Sequence, residues 1–343
     1  MRDGHDMAIA NVASEIPDLL RRAHVPGLSL ALVQDATLVE VAAFGLACLQ
    51  PPQPVTPGTL FQAASLSKPL FAYAVLRLAA QGSLDLDAPL TAYLRDPYVP
   101  DDPLLPAITA RRVLCHTTGW PNWRPEGSPL VRERAPGDTF GYSGEGYVYL
   151  QTAVEHIVGQ PLDMFMQETV LGPLGMEASS YRWAAPDDPS VARAHDRAGQ
   201  PSEAYVSDRP EVSSSLHTTP SDFARFLCAM LVPTKGLDRR GAQRLADMLQ
   251  PQFKLSNVLA WGLGWGLEDT DSGAIFWHWG DNPGYKSIAL AVPIKGTGII
   301  IMTNGDGGLG LCDYLIRTII GGDHPAFAWL ATTFYGVPTL AAI

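Results

Sequence analysis

The chain has 343 residues, 46% hydrophobic and 17% charged, enough to bury a large core; this composition excludes a disordered or fibrous protein. Its 24 Lys and Arg against 35 Asp and Glu leave a net charge of −11, which argues against sequence-independent nucleic-acid binding. No apolar run reaches the about 18 residues of a membrane span, and residues 1–6 lack the basic and apolar regions of an export signal, so a cytoplasmic location is expected.

Apolar residues at Ile9, Val12, Ile16, Leu19 and Leu20 have helical spacing, which predicts an opening helix over 9–23, ended by Pro26-Gly27. The β-leaning runs 28–33 and 38–44 read as a hairpin, followed by a proline-rich loop at 51–57 and a short strand at 60–63. A helix over 70–81 stops at Gly82. From residue 85 to about 251 the regular elements read as helices, at 147–158, 162–170, 221–231 and 239–249, with Thr219 to Asp222 a cap for the third. Strands follow at 263–267, 275–279, 285–292 and 298–303, then a closing helix at 309–320. The expected class is α+β. Both ends of the chain join one antiparallel sheet flanked by N- and C-terminal helices, and a mainly helical domain is inserted between them. The domains expected are 1–84 with 252–325, and 85–251, leaving a tail at 326–343. That tail carries Phe327, Trp329, Leu330, Phe334 and Tyr335, and can pack on the body or on a partner.

Ser65-Leu66-Ser67-Lys68 lies between the short strand and the helix. A Ser and a Lys three apart at a helix start share one face. A serine hydroxyl becomes a strong nucleophile only when a base takes its proton, and lysine is such a base only with a lowered pKa. Burial or a helix N-terminus supplies that shift, and the same helix end offers backbone N–H groups to an oxyanion. Of the five lysines, only Lys68 has a serine three residues before it. The bland alternative is a capping serine beside a surface lysine.

The segment Phe61 to Pro69 resembles the first motif of the serine β-lactamase and penicillin-binding-protein superfamily. More narrowly, it is similar to class C β-lactamase-like serine hydrolases, including the family VIII carboxylesterases. Further landmarks follow in order: Leu114-Cys115-His116-Thr117-Thr118-Gly119, Tyr142-Ser143-Gly144, Pro173-Leu174-Gly175-Met176 and His278-Trp279-Gly280. Together they cover roughly residues 15–320 of the chain.

By that resemblance, Ser65, Lys68, Tyr142 and His278 are the catalytic candidates. Tyr142 bridges Ser65 and Lys68 and relays a proton to the leaving group. Which of Lys68 and Tyr142 is the general base stays open. The backbone N–H groups of Ser65 and Asp281 are the oxyanion donors, and Gly144, Trp279 and Gly280 are substrate-binding positions. Gly144 departs from the family's Asn and has no side chain for a substrate amide. Glu145 beside it reads as a surface carboxylate. A strand sets His278 opposite Trp277 and Trp279. If that face lines the cleft, a conditionally charged imidazole replaces the motif's lysine. Gly280 is expected to let substrate backbone approach closely. Of Trp120, Trp123, Trp265, Trp277 and Trp279, at least half are expected in the core.

No cofactor or metal is indicated. His116, His156, His195 and His217 lack ligand spacing, and the glycine-rich turn at 305–310 lacks a Walker lysine. The four cysteines make no paired motif and read as reduced thiols. The expected activity is hydrolysis of a small-molecule ester through an acyl-enzyme. The alternatives are an acyltransferase, a D-amino-acid peptidase or β-lactamase using the same residues, or a non-catalytic binding protein on this fold. The oligomeric state is not encoded in any recognisable feature.

Overall fold

The computed structural model describes residues 9–185, 187–232, 239–271 and 273–339; the stretch read for an export signal lies outside them. The chain opens with a 3₁₀ turn, Ile9–Asn11, and helix α1, Ile16–Arg22. The continuous helix expected over 9–23 is therefore divided. Pro17 lies in the first turn of α1, the one place where its missing N–H costs nothing.

Strands β1 (Gly27–Gln34) and β2 (Thr37–Leu49) form the expected hairpin. Asp35 and Ala36 both have positive φ, 48° and 55°, as a two-residue turn matched to strand twist requires. The proline-rich segment read as loop contains a short edge strand, β3 (Pro52–Pro54), where proline is tolerated because one side has no partner. Strand β4 (Phe61–Gln62) follows, then helix α2 (Ser67–Ala80). The insertion holds α3 (Ala110–Leu114), α4 (Gly144–Val158), α5 (Leu162–Met166), β5 (His217–Thr218), α6 (Pro220–Leu231) and α7 (Arg239–Leu249). Thr219 caps α6 by accepting from the Asp222 N–H at 3.1 Å, as its sequence predicts.

The chain then returns to the sheet as β6 (Phe253–Lys254), β7 (Leu259–Trp261), β8 (Gly266–Thr270), β9 (Gly273–Asn282), β10 (Tyr285–Val292) and β11 (Thr297–Thr303). Of the strand expected at 263–267, residues 266–267 open β8, while 263–265 form a turn between β7 and β8. There Leu263 donates to the Met248 carbonyl and Gly264 to that of Leu114, so contacts with the insertion override a β-leaning sequence. Helices α8 (Gly308–Ile319) and α9 (Pro325–Phe334) close the described chain.

Nine strands form one antiparallel sheet in the order β3-β2-β1-β11-β10-β9-β8-β7-β6. Strands β10 and β11 are buried along their whole length, and β1 over all but its last residue. Their near-continuous apolar runs match a sheet covered on both faces. One face packs on α6, in a core shared with α2 and α4; the other packs on α1, α8 and α9. The described part of the tail, 326–339, thus folds onto its own body, with Phe327 and Leu330 fully buried. Among the described residues, no helix is long and apolar enough to cross a membrane.

Candidate active site

The small β4–β5 sheet prepares the site. Phe61 pairs with Thr218 and Gln62 with His217, and the Ala63 N–H donates to the Leu216 carbonyl at 2.8 Å. This ties the residues just before Ser65 to the segment just after Ser213. Ala64 then takes φ of +50°, a conformation that costs about 1–3 kcal/mol for a residue with a side chain. Ser65 follows on a 3₁₀ turn, Ala64–Leu66, leading into α2. The strain sits one residue before the hydroxyl that it aims.

Lys68 is fully buried in the first turn of α2. Its Nζ donates to Ser65 Oγ at 2.8 Å and to the Ser213 carbonyl at 3.2 Å. It also lies 4.9 Å from the ring centre of Tyr142 and 5.6 Å from that of Tyr147. Burial pushes its pKa down to about 7, against a smaller upward pull from Glu211. An amine at that value is substantially neutral near pH 7 and can accept a proton.

Tyr142 packs between His116, 4.1 Å away and stacked, and Trp279 at 4.8 Å. Its Oη has no hydrogen-bond partner of ordinary geometry among the described residues. Burial pushes the phenol well above its usual range; the nearby Ser65 hydroxyl opposes the shift and the Asp281 carboxylate adds to it. The phenol therefore keeps its proton at neutral pH. His116 Nδ1 accepts from the Ser143 N–H at 3.1 Å, so its proton is on Nε2.

His278 lies apart from the cleft surface. It is fully buried on the α2 side of β9, and its Nδ1–H donates to the Trp279 carbonyl at 2.7 Å. Burial, reinforced by Lys68, pushes its pKa down to about 3, so the imidazole is neutral. The reading that sets it on a cleft-lining face as a conditional cation is thereby corrected. Strand alternation does place it opposite Trp277 and Trp279, but α2 covers that face.

Gly144 opens α4, and its N–H donates to Asn122 Oδ1 at 2.9 Å. A Cβ there would lie 2.5 Å from the Trp123 indole. The aromatic ring thus fills the space in which the family's Asn side chain would begin. Glu145 is 5% exposed, not a surface carboxylate. It pairs with Arg124 at 2.7 Å and accepts the Arg124 N–H at 3.0 Å, fastening the Trp123 loop to the start of α4.

Gly280 is buried, and its role differs from the expected substrate approach. A Cβ there would lie 2.2 Å from the Ala63 carbonyl and 2.2 Å from Ser287 Oγ. What approaches closely is the backbone leading to Ser65, so Gly280 seats the turn that carries that serine. Asp281 stands at the rim, paired with Lys286 Nζ at 2.9 Å and accepting from the Tyr335 hydroxyl at 2.5 Å.

Ser65, Trp123, Tyr142, Trp279, Asp281 and Phe334 are among the residues lining one cavity of about 240 Å³. Trp279 lines it while only 3% exposed; Trp120, Trp265 and Trp277 are core, and Trp123 is 44% exposed. A larger cavity, about 420 Å³ near β7 and β8, holds no paired nucleophile and base, so chemistry rather than size selects the site. Among the described residues, no group of three or more His, Cys, Asp and Glu side chains could hold a metal. The sequence reading gave no site role to Ser213, His116 or Phe334. His116 lies in the Leu114 to Gly119 landmark, which marks the segment but not its place beside Tyr142; Ser213 and Phe334 reach the site by long-range packing, with no local motif to mark them.

The beta-lactamase family model matches residues 12–318. Esterase EstB of Burkholderia gladioli is 32% identical over 223 residues, 56% of this chain and 56% of the esterase, so the match spans little more than half of that relative. Penicillin-binding protein 4 of Amycolatopsis lactamdurans is 26% identical over 330 residues, 87% of this chain and 86% of that protein. Among solved structures, a class C beta-lactamase superposes with a TM-score of 0.81 at 21% identity, covering 92% of this chain and 97% of that chain.

Proposed function

The chain belongs to the beta-lactamase family of serine hydrolases, and from that premise we propose that it cleaves small carboxylic esters through an acyl-enzyme on Ser65. The observation that carries this reading is the buried Lys68 amine, 2.8 Å from Ser65 Oγ with a pKa near 7. Neutral Lys68 takes the Ser65 proton as Oγ attacks the ester carbonyl. The tetrahedral oxyanion turns to the backbone N–H groups of Ser65 and Asp281. Its collapse breaks the bond to the alkoxy oxygen, which takes the Tyr142 proton and leaves as alcohol. The Lys68 ammonium then reprotonates Tyr142. Water attacks the acyl-enzyme, Lys68 takes its proton, and Ser65 Oγ regains one as the acid leaves. A tyrosine that holds its proton at pH 7 suits the donor step better than the base step, which leaves the base role to Lys68.

Three features favour an ester over a β-lactam or peptide. The Trp123 ring occupies the space beside Gly144 where a side-chain amide would meet a substrate amide. Among the described residues no Lys or Arg lines the cavity, His278 is neutral, and Asp281 adds a carboxylate at the rim, so the described lining gives a substrate carboxylate no anchor. The cavity, at about 240 Å³, is below the roughly 300 Å³ at which drug-sized ligand sites begin. The esterase relative points the same way.

The test is hydrolysis of p-nitrophenyl butyrate and of a chromogenic cephalosporin by the wild type and by Ser65→Ala. Ester turnover that vanishes in Ser65→Ala, with slower cephalosporin turnover, is expected. Faster cephalosporin turnover would overturn the ester preference. Ester turnover surviving in Ser65→Ala would overturn the nucleophile. Turnover that needs an added alcohol or amine would identify a transferase.

A further inference from the structure

We propose that Phe334 and Tyr335, beyond the segment that matches the family, form a fixed wall on the leaving-group side of the cleft and restrict the substrate to esters of compact alcohols. The inference rests on the ester reading and adds the part of the substrate that the site measures.

The family match ends at residue 318, yet the chain continues through α9 and returns to the nucleophile. The Phe334 ring meets Trp279 at 4.9 Å and Tyr142 at 5.7 Å, edge-on to the latter with an interplanar angle of 85°. Tyr335 donates to Asp281 Oδ2 at 2.5 Å, while Lys286 holds the other carboxylate oxygen at 2.9 Å. Both tail residues line the same cavity as Ser65.

The wall is held at both ends. At the start of α9 the fully buried Glu268 side chain accepts the Ala326 N–H at 2.9 Å and the His324 Nδ1–H at 3.1 Å. Along α9, Phe327 and Leu330 are buried against the sheet. At its end stands the Tyr335–Asp281 contact. A segment pinned in this way acts as a rigid boundary rather than a lid.

The side follows from the chemistry. The alkoxide must lie against Tyr142 Oη to receive its proton, and Phe334 packs on the ring of that same tyrosine. A bulky alcohol therefore runs into Phe334. The acyl group is left to the remaining lining, including Asn122, Trp123 and Ser213.

The experiment compares kcat/KM, which reports acylation while the alcohol is still attached, for phenyl acetate, 2-naphthyl acetate and phenyl butyrate. In Phe334→Ala the naphthyl-to-phenyl ratio is expected to rise about tenfold, the discrimination that one apolar contact typically gives. The butyrate-to-acetate ratio should move less than about twofold, because the acyl side is untouched. Phe334→Leu, which keeps most of the packing volume, should shift the naphthyl ratio in the same direction by less. A proportional loss on all three esters in both variants would show a merely structural residue and overturn the wall. A shift in the butyrate ratio instead would overturn the assignment to the alcohol side. A wild type that hydrolyses none of the three fails the ester reading itself, a result distinct from an unchanged selectivity in an active enzyme.

Discussion

Two lysines in this molecule are buried to nearly the same degree and do opposite things. Lys286, 5% exposed on β10, has its Nζ 2.9 Å from Asp281, 2.5 Å from Asp306 and 3.0 Å from the Asn282 carbonyl. Lys68, fully buried on α2, makes no ion pair among the described residues; a hydroxyl, a carbonyl and two aromatic rings surround it. Two carboxylates compensate the buried charge of Lys286 and make it a brace. Without them the Lys68 charge is uncompensated, its pKa falls to about 7, and the amine becomes available for proton transfer. The difference lies in partners, not in burial. The two meet at Asp281, whose backbone N–H is proposed for the oxyanion while its side chain is held by the brace.

Removing the reactive member should have the largest effect. Lys68→Met is expected to lower kcat/KM for p-nitrophenyl butyrate by about 10⁴-fold, the upper range for a lost general base, and Ser65→Ala by at least as much. A loss below tenfold in Lys68→Met would mean that another group takes the serine proton. Tyr142→Phe should cost about 10²–10³-fold on ethyl butyrate and clearly less on p-nitrophenyl butyrate, whose phenolate leaves without a proton. Equal losses on both esters would move Tyr142 from donor to some earlier step.

The Ser65–Lys68 region was legible in the sequence because its information is local. A spacing of three between Ser65 and Lys68 at a helix start brings them within hydrogen-bond reach whatever the rest of the chain does. The hairpin, α2, α6 and β10 were equally legible, from unbroken periodicity and flanking turn residues. The opposite wall was not. Alternation along β9 gave the face of His278, but what covers that face is α2, about 200 residues away in sequence. Gly280 was marked as a place of close approach, and only the fold says that Ala63 approaches it. Glu145 read as a surface group because its partner, Arg124, lies 21 residues away in an irregular loop. The tail's aromatics marked it as packing on something; that Phe334 reaches Tyr142 follows from the Glu268 anchor on β8.

Removing the brace should cost stability rather than chemistry. Lys286→Met leaves Asp281 and Asp306 facing each other without their cation. Their side chains stay 36% and 27% exposed, so water screens part of the penalty, and about 1–3 kcal/mol is expected from urea denaturation. Lys68→Met should do the reverse. The folded chain holds this amine at about 7 against 10.5 when unfolded, so between those values the unfolded chain binds more protons. Wild-type stability therefore gains from this group as pH rises, by about 2 kcal/mol between pH 7 and pH 9. In Lys68→Met that contribution to the slope disappears and the protein is more stable than wild type at pH 6.5. The same titration gives the activity of the wild type a rising limb centred near pH 7, since acylation needs the neutral amine. A wild type and a Lys68→Met variant with parallel stability-against-pH curves would sink the lowered pKa and, with it, the contrast between the two lysines.

The smallest effect tests what surrounds the reactive pair. A Cβ on Gly144 meets the Trp123 indole at 2.5 Å, too close for the ring to stay where it is. The ring is 44% exposed and can swing outward, so Gly144→Asn should cost less than about 1 kcal/mol of stability. The displaced indole no longer lines the cavity, and KM for p-nitrophenyl butyrate should rise a few-fold with kcat little changed, the pattern of lost uniform binding. Removing the obstruction as well, in Trp123→Ala with Gly144→Asn, lets the introduced amide reach the position that the indole holds. The ratio of cephalosporin to ester turnover should then rise several-fold in the double variant and in neither single one. If Gly144→Asn alone raises that ratio, the indole is not what keeps an amide contact out. The ester preference would then rest on a cavity around Ser65 whose described lining offers a carboxylate and no cation, and Lys68 would be left to explain reactivity but not selectivity.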